Sequence, residues 1–104
     1  PRTVLIGDDN RDAADTLALV CQVAGLQAHA AYDGQAVLDL AHQLRPDVLL
    51  LDIGMPHLDG CDVARSVRAQ PWGHDLLLVA ISGWGRDEDR QRTRQAGFDA
   101  HLLL

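Results

Sequence analysis

A chain of 104 residues, 47% hydrophobic and 23% charged, has the composition of one globular domain and can bury roughly two-thirds of its unfolded surface. A net charge of −6 and the complete lack of lysine argue against nucleic acid or an anionic membrane as partner. No apolar run approaches the ~20 residues of a bilayer span. The opening Pro1-Arg2-Thr3-Val4 enters a strand at once, so no signal peptide is expected. Cys21 and Cys61 fall on separate predicted helices and read as small buried apolar residues, not as a disulfide; a cytoplasmic setting is expected.

Strand and helix patterns alternate along the chain, with no repeat, linker or low-complexity segment. Thr3 to Gly7 predicts a first strand. A helix follows from about Arg11 to Ala24, capped by Asp9 or Asn10 and ended by Gly25, with Ala14, Leu17, Ala18, Cys21 and Ala24 at helical spacing. Leu26 to Ala30 predicts a second strand. Asp33-Gly34 then opens a helix carrying Val37, Leu40, Ala41 and Leu44, which Arg45-Pro46 stops. The run Val48 to Leu51 is wholly apolar and ends at Asp52, which predicts a central strand covered on both faces. Beyond a loop shaped by Pro56 and Gly60, Val63, Ala64 and Val67 mark a third helix, and Leu76 to Ile81 a fourth strand. The next helix, about Arg86 to Gln95, has no large apolar residue, so only Ala96 and Gly97 are expected close to the sheet. Ala100 to Leu104 predicts a last strand. No fifth helix follows to cover that edge, so residues 1–104 are expected to be one C-terminally truncated domain.

Three of these strands end in oxygen-bearing residues: Asp8-Asp9, Asp52 and Ser82. Parallel strands of an open α/β sheet bind ligands beyond their carboxyl ends, which brings three carboxylates and a hydroxyl to one sheet edge. Carboxylates so crowded repel unless a cation sits among them, and a small acidic pocket for a hard divalent metal follows. A single aspartate at a strand end is a turn former or helix cap; four such positions together are a site. Asp12, Asp15 and Asp33 read as surface or capping residues. His29, His42, His57 and His74 share no metal spacing. The run Arg86 to Arg94 is most simply a solvated helix face.

The segments VLIGDDN, LLLDIGMPHLDG, AISGWG and AGFDAHL, in this order and spacing, resemble the receiver domain of bacterial response regulators, closest in wording to receivers of hybrid sensor kinases. The resemblance implies a flavodoxin-like, doubly wound parallel sheet of five strands in the order 2-1-3-4-5, here without its fifth helix. It implies a phosphorelay: a histidine kinase or histidine phosphotransfer protein passes a phosphoryl group to Asp52. An aspartate can hold that group as an acyl phosphate. Asp8, Asp9, Asp52 and the main-chain carbonyl of Gly54 would bind Mg²⁺, and the Ser82 hydroxyl would hydrogen-bond the phosphoryl group. Such a domain is not a turnover enzyme, since it only phosphorylates and dephosphorylates itself. A fused kinase or output domain is expected in the parent protein, which could be a hybrid histidine kinase.

The chain departs from the family pattern at Leu104, where receivers carry a lysine that pairs with the phosphoryl group. That departure sustains an alternative, a pseudo-receiver that binds a partner without being phosphorylated. His101 occupies the place of the family's mobile switch aromatic, either in that role or as edge packing. Three other chemistries fail on the residues themselves. A calcium loop starting at Asp8 would put Ala13 where glycine is needed and Leu19 where the bidentate glutamate belongs. An aspartate-nucleophile phosphatase would need an acid where Gly54 stands. The turn Gly7-Asp8-Asp9-Asn10 would repel a dinucleotide pyrophosphate.

Overall fold

The computed structural model describes residues 2–53, 59–82 and 87–103, as backbone only at 87–90 and 103. Strands β1 (Thr3–Gly7), β2 (Gln27–Ala31), β3 (Val48–Asp52), β4 (Leu77–Ser82) and β5 (Ala100–Leu103) alternate with helices α1 (Arg11–Val23), α2 (Gly34–Leu44), α3 (Gly60–Arg68) and α4 (Asp87–Ala96). A short 3₁₀ turn spans Pro71–Gly73. All strand pairs are parallel and the sheet runs β2-β1-β3-β4-β5, the expected order. The chain begins at an inner strand, β1, adds β2 on one side and then crosses to β3 on the other. Connections leave β1 and β3 in opposite directions, so a crevice opens between their carboxyl ends.

Local chemistry sets the helix ends. The Asn10 side chain caps α1 by accepting the Ala13 amide at 3.1 Å. Asp33 caps α2 by accepting the Ala36 amide at 2.7 Å. Gly25, at φ 91, turns the chain after α1 where a side chain would be strained. Arg45 takes a left-handed φ of 47 after α2, and the following Pro46 cannot continue a helix.

Two clusters hold the layers together. On one face, Leu5, Leu49, Leu51, Leu78 and Ala80 pack against Val37 and Ala41 of α2, Val63, Ala64 and Val67 of α3, and Ala96 of α4. On the other, Val4, Ile6 and Ala28 pack under Ala14 and Ala18 of α1. Strand β3 is central as expected but fully covered on one face only. Leu49 and Leu51 are inaccessible, whereas Val48 and Leu50 are half-buried because α1 sits chiefly over β1 and β2. Ala24, expected in the buried stripe of α1, is exposed beyond the helix end, and Cys21 is only half-buried. Strands β2 and β4 each lie one residue later than the apolar runs suggested, at Gln27–Ala31 and Leu77–Ser82. The polar helix α4 docks through Thr93 as well as Ala96, and Phe98 follows into the core.

Arg68, at the end of α3, ties this architecture together. Its guanidinium donates to the carbonyls of Gly97, Gly73, His74 and Leu76 at 2.9–3.2 Å and to Asp99 Oδ2 at 2.7 Å. Asp99 in turn accepts the Leu78 amide at 2.9 Å. Burial pushes the Asp99 carboxyl up, but the Leu78 amide and Arg68 outweigh it and hold the group below the usual carboxylate range.

Candidate functional site

Strand β1 ends at Gly7 and delivers Asp8 to the crevice. The Asp8 amide donates to the Ala31 carbonyl at 3.1 Å, and its Oδ1 accepts the Asn10 amide at 2.9 Å, so backbone and side chain are both held. Only 8% of Asp8 is exposed. From β3 comes Asp52, whose register partner on β4 is Ile81; the next amide, Ile53, donates to the Ile81 carbonyl at 3.1 Å and anchors the strand end. Asp52 and Asp9 are both half-buried.

The carboxyls of Asp8 and Asp52 crowd one another across the ends of β1 and β3. Burial raises the Asp8 carboxyl above its ordinary range. The Asn10 amide pulls the other way, and the charges of Asp52 and Asp9 add to the rise. This pair of crowded oxygens from two strands is a donor set that fits a hard cation. Among the described residues, no three His, Cys, Asp or Glu side chains are grouped to hold a metal by themselves. Mg²⁺ is compatible with that, since it keeps several waters and needs only one or two carboxylates. A cleft of about 610 Å³ opens from Asp8 and Asp52 past Asn10 and along Ala13, Leu17 and Val20 of α1.

The third strand end, Ser82 on β4, is 5% exposed. Its Oγ lies 2.7 Å from Nε2 of His101, and Nδ1 of the same ring lies 3.4 Å from Oγ1 of Thr93. Thr93, itself 2% exposed, went unrecognised in the sequence. The signal was its place three residues before Ala96, on the helix face that meets the sheet. His101 therefore does more than pack at an edge.

Asp59 caps α3, accepting the amides of Cys61 and Asp62 at 3.1 and 3.2 Å, and meets Arg92 of α4 at 3.4 Å. Burial pushes the Asp59 carboxyl up, but the amide and side-chain interactions with Asp62, the charge of Arg92 and the Cys61 amide together hold it down. Gly60 lies against the end of β3: a Cβ there would stand 2.7 Å from Ile53 Cγ2 and 3.3 Å from the Asp52 carbonyl oxygen. The structure thus brings Asp8 and Asp52 together, with Asp9 adjacent and Ser82 at the neighbouring strand end. Gly54, Pro56, Trp84 and Leu104 lie outside the described residues.

A family model for the response regulator receiver domain matches residues 4–103. The chain is 33% identical over 102 residues to the response regulator MprA of Mycolicibacterium vanbaalenii, covering 98% of this chain and 43% of that protein. It is 34% identical to the transcriptional regulatory protein PrrA of Mycobacterium leprae, covering 96% and 42%. The chain therefore spans less than half the length of these two curated relatives. Among solved structures, the chemotaxis protein CheY4 of Vibrio cholerae superposes with a TM-score of 0.93 at 25% identity, covering 98% of this chain and 85% of that one. The receiver domain of the sensor histidine kinase PA1611 of Pseudomonas aeruginosa, with a magnesium ion in its active site cleft, gives a TM-score of 0.87 at 26% identity, covering 98% and 84%.

Proposed function

Because this chain belongs to the response regulator receiver domain family of two-component signalling, we propose that it is an active phosphoacceptor, with Asp52 as the residue phosphorylated. The observation that carries this reading is the Asp8–Asp52 pair at the head of an open cleft. A carboxylate oxygen of Asp52 attacks the phosphorus of a phosphohistidine, the P–N bond breaks, and an acyl phosphate forms as the imidazole leaves. The donor is a histidine kinase or histidine phosphotransfer protein. Asp8, Asp9, Asp52 and the Gly54 carbonyl are the groups that would hold Mg²⁺, whose chemistry here is to neutralise charge on the transferring group. Ser82, one residue past the register partner of Asp52, donates to a phosphoryl oxygen once the group has arrived.

We assign residues 1–104 to one receiver domain whose product stays on the chain, within a longer regulator or hybrid kinase that carries the output. Among the described residues no helix is long and apolar enough to cross a membrane. A cytoplasmic placement, alongside the kinase, is part of the proposal.

Incubation with acetyl phosphate and Mg²⁺ tests the assignment. Intact-mass measurement should show one phosphoryl group, stable in acid and labile in alkali, on the wild type and none on Asp52→Asn. Equal labelling of the two would place the nucleophile elsewhere, and no labelling of the wild type would favour the pseudo-receiver.

A further inference from the structure

We propose that Tyr32 is a positioning residue for Asp8 and Asp9: gripped by Arg11 and Asp15 of α1, it holds the turn between β1 and α1 in the shape that a bound Mg²⁺ needs. The inference rests on the metal-assisted phosphoacceptor reading and adds to it a residue that does not line the cleft.

Tyr32 follows directly on β2. Its hydroxyl donates to Asp15 Oδ1 at 2.5 Å, the short distance of a charge-assisted hydrogen bond. The Arg11 guanidinium carbon stands 4.4 Å from the centre of the same ring, within cation–π range. Arg11 and Asp15 are one turn apart on α1, so both reach the ring from one side of the helix. The bond to Asp15, burial and the Asp15 charge raise the Tyr32 phenol above its usual range, against the charge of Arg11. The hydroxyl therefore keeps its proton at neutral pH and is the donor. The ring also packs on the cluster of Val4, Ile6, Ala14, Ala18 and Ala28, which gives the grip a fixed base.

The preceding residue, Ala31, accepts the Asp8 amide at 3.1 Å. Two consecutive residues thus hold the turn at both ends, Ala31 at its start through Asp8 and Tyr32 at its finish through Arg11 and Asp15. Between them lies Asp8-Asp9-Asn10. Asp8 Oδ1 accepts the Asn10 amide at 2.9 Å, and the Asn10 side chain accepts the Ala13 amide at 3.1 Å. A shift of the first turn of α1 against β2 would pull on Asn10 and, through it, on the Asp8 carboxyl. Mg²⁺ demands near-ideal octahedral geometry, so carboxylates on a turn that must first be ordered bind it less tightly.

The test compares the wild type with Tyr32→Phe, which keeps the ring beside Arg11 and loses the hydroxyl, and with Tyr32→Leu, which loses both contacts. Mg²⁺ titration followed by NMR of the Asn10 to Ala13 amides reads the affinity without any chemistry. Tyr32→Phe should weaken Mg²⁺ about threefold and Tyr32→Leu about tenfold, the scale of one hydrogen bond and of that bond with a cation–π contact. Amide exchange from Asp9 to Asp12 in the metal-free protein should be faster in both. With acetyl phosphate as donor, the Mg²⁺ concentration for half the maximal labelling rate should rise by the same factors. The rate at saturating Mg²⁺ should stay within about twofold of the wild type. A merely structural tyrosine would lower the urea midpoint and leave the Mg²⁺ affinity alone. An unchanged affinity in Tyr32→Phe overturns the inference even where Tyr32→Leu fails to fold, and so does a saturating rate that falls with the half-saturating concentration unmoved. Either result, with Asp52 still labelled in the wild type, leaves the phosphoacceptor reading standing. A wild type that binds no Mg²⁺ would overturn both the inference and the metal in the reading beneath it.

Discussion

Asp8 and Asp52 face one another across the ends of β1 and β3, and burial, with the charge of Asp52 adding to it, raises the Asp8 carboxyl above the ordinary aspartate range. A raised native value means the folded protein binds a proton that the unfolded chain has released. The stability of the metal-free protein should therefore fall as pH rises from the unfolded aspartate range through the raised Asp8 range, with the cost fully present above it. Asp8→Asn should remove that slope and stabilise the metal-free fold at neutral pH by about 1 kcal/mol, since the site's charge crowding is relieved. Denaturant unfolding between acid and neutral pH measures both. A variant with the wild-type slope would place the titration elsewhere.

Mg²⁺ should reverse this sign, because ligands must be ionised to bind it and binding releases protons. Added Mg²⁺ should stabilise the wild type more as pH rises, and should stabilise Asp8→Asn or Asp52→Asn far less. Thermal melts with and without Mg²⁺ report the difference. A Mg²⁺ effect that persists in Asp9→Ala combined with Asp52→Ala would place the ion at another site.

Arg68 is expected to be the most sensitive charged residue outside the crevice. Arg68→Met strands the carbonyls of Gly73, Leu76 and Gly97 and leaves Asp99 without its cation, and should cost about 2–4 kcal/mol. Arg68→Lys should recover little, because one ammonium cannot reproduce a fork that reaches carbonyls on three segments. Urea midpoints at constant slope measure it. The Asp99 carboxyl is held low, so its share of the stability is present above the ordinary aspartate range and is lost as pH falls through the native value.

Gly60→Ala should lower the phosphorylation rate at Asp52 more than it lowers stability. The added methyl would push on Ile53 and on the Asp52 carbonyl, at the strand end that aims the reactive carboxyl. A labelling rate that falls about tenfold, with a stability loss near 1 kcal/mol, is the expected pattern. An unchanged rate would show that the Asp52 position tolerates movement of the α3 start.

The resemblance puts a lysine at the place of Leu104, where a charge-assisted hydrogen bond to the phosphoryl group would be worth roughly 1.5–3 kcal/mol. Labelling of the wild type is expected to be slow and the movement of Ser82 to Ala96 small. Leu104→Lys should increase both. A full phosphorylation-dependent change in amide exchange without the lysine would show it to be dispensable in this chain.

The order of elements, the central apolar strand and the placing of Asp8, Asp52 and Ser82 at or just past strand ends could be read from the sequence. They rest on local periodicity and on one topological rule, that sites lie beyond the carboxyl ends of parallel strands. Short-range chemistry also announced the stops at Gly25 and Arg45-Pro46, since a glycine or a proline acts on its own neighbours. Strand limits slipped by one residue because sheet register is decided by partners, and Leu76 is apolar without being paired. Only the tertiary structure placed His101 between Ser82 and Thr93, and Arg68 against carbonyls on three segments. Those contacts depend on side-chain geometry across separate elements, and no pattern of apolar spacing encodes where a guanidinium or an imidazole will reach.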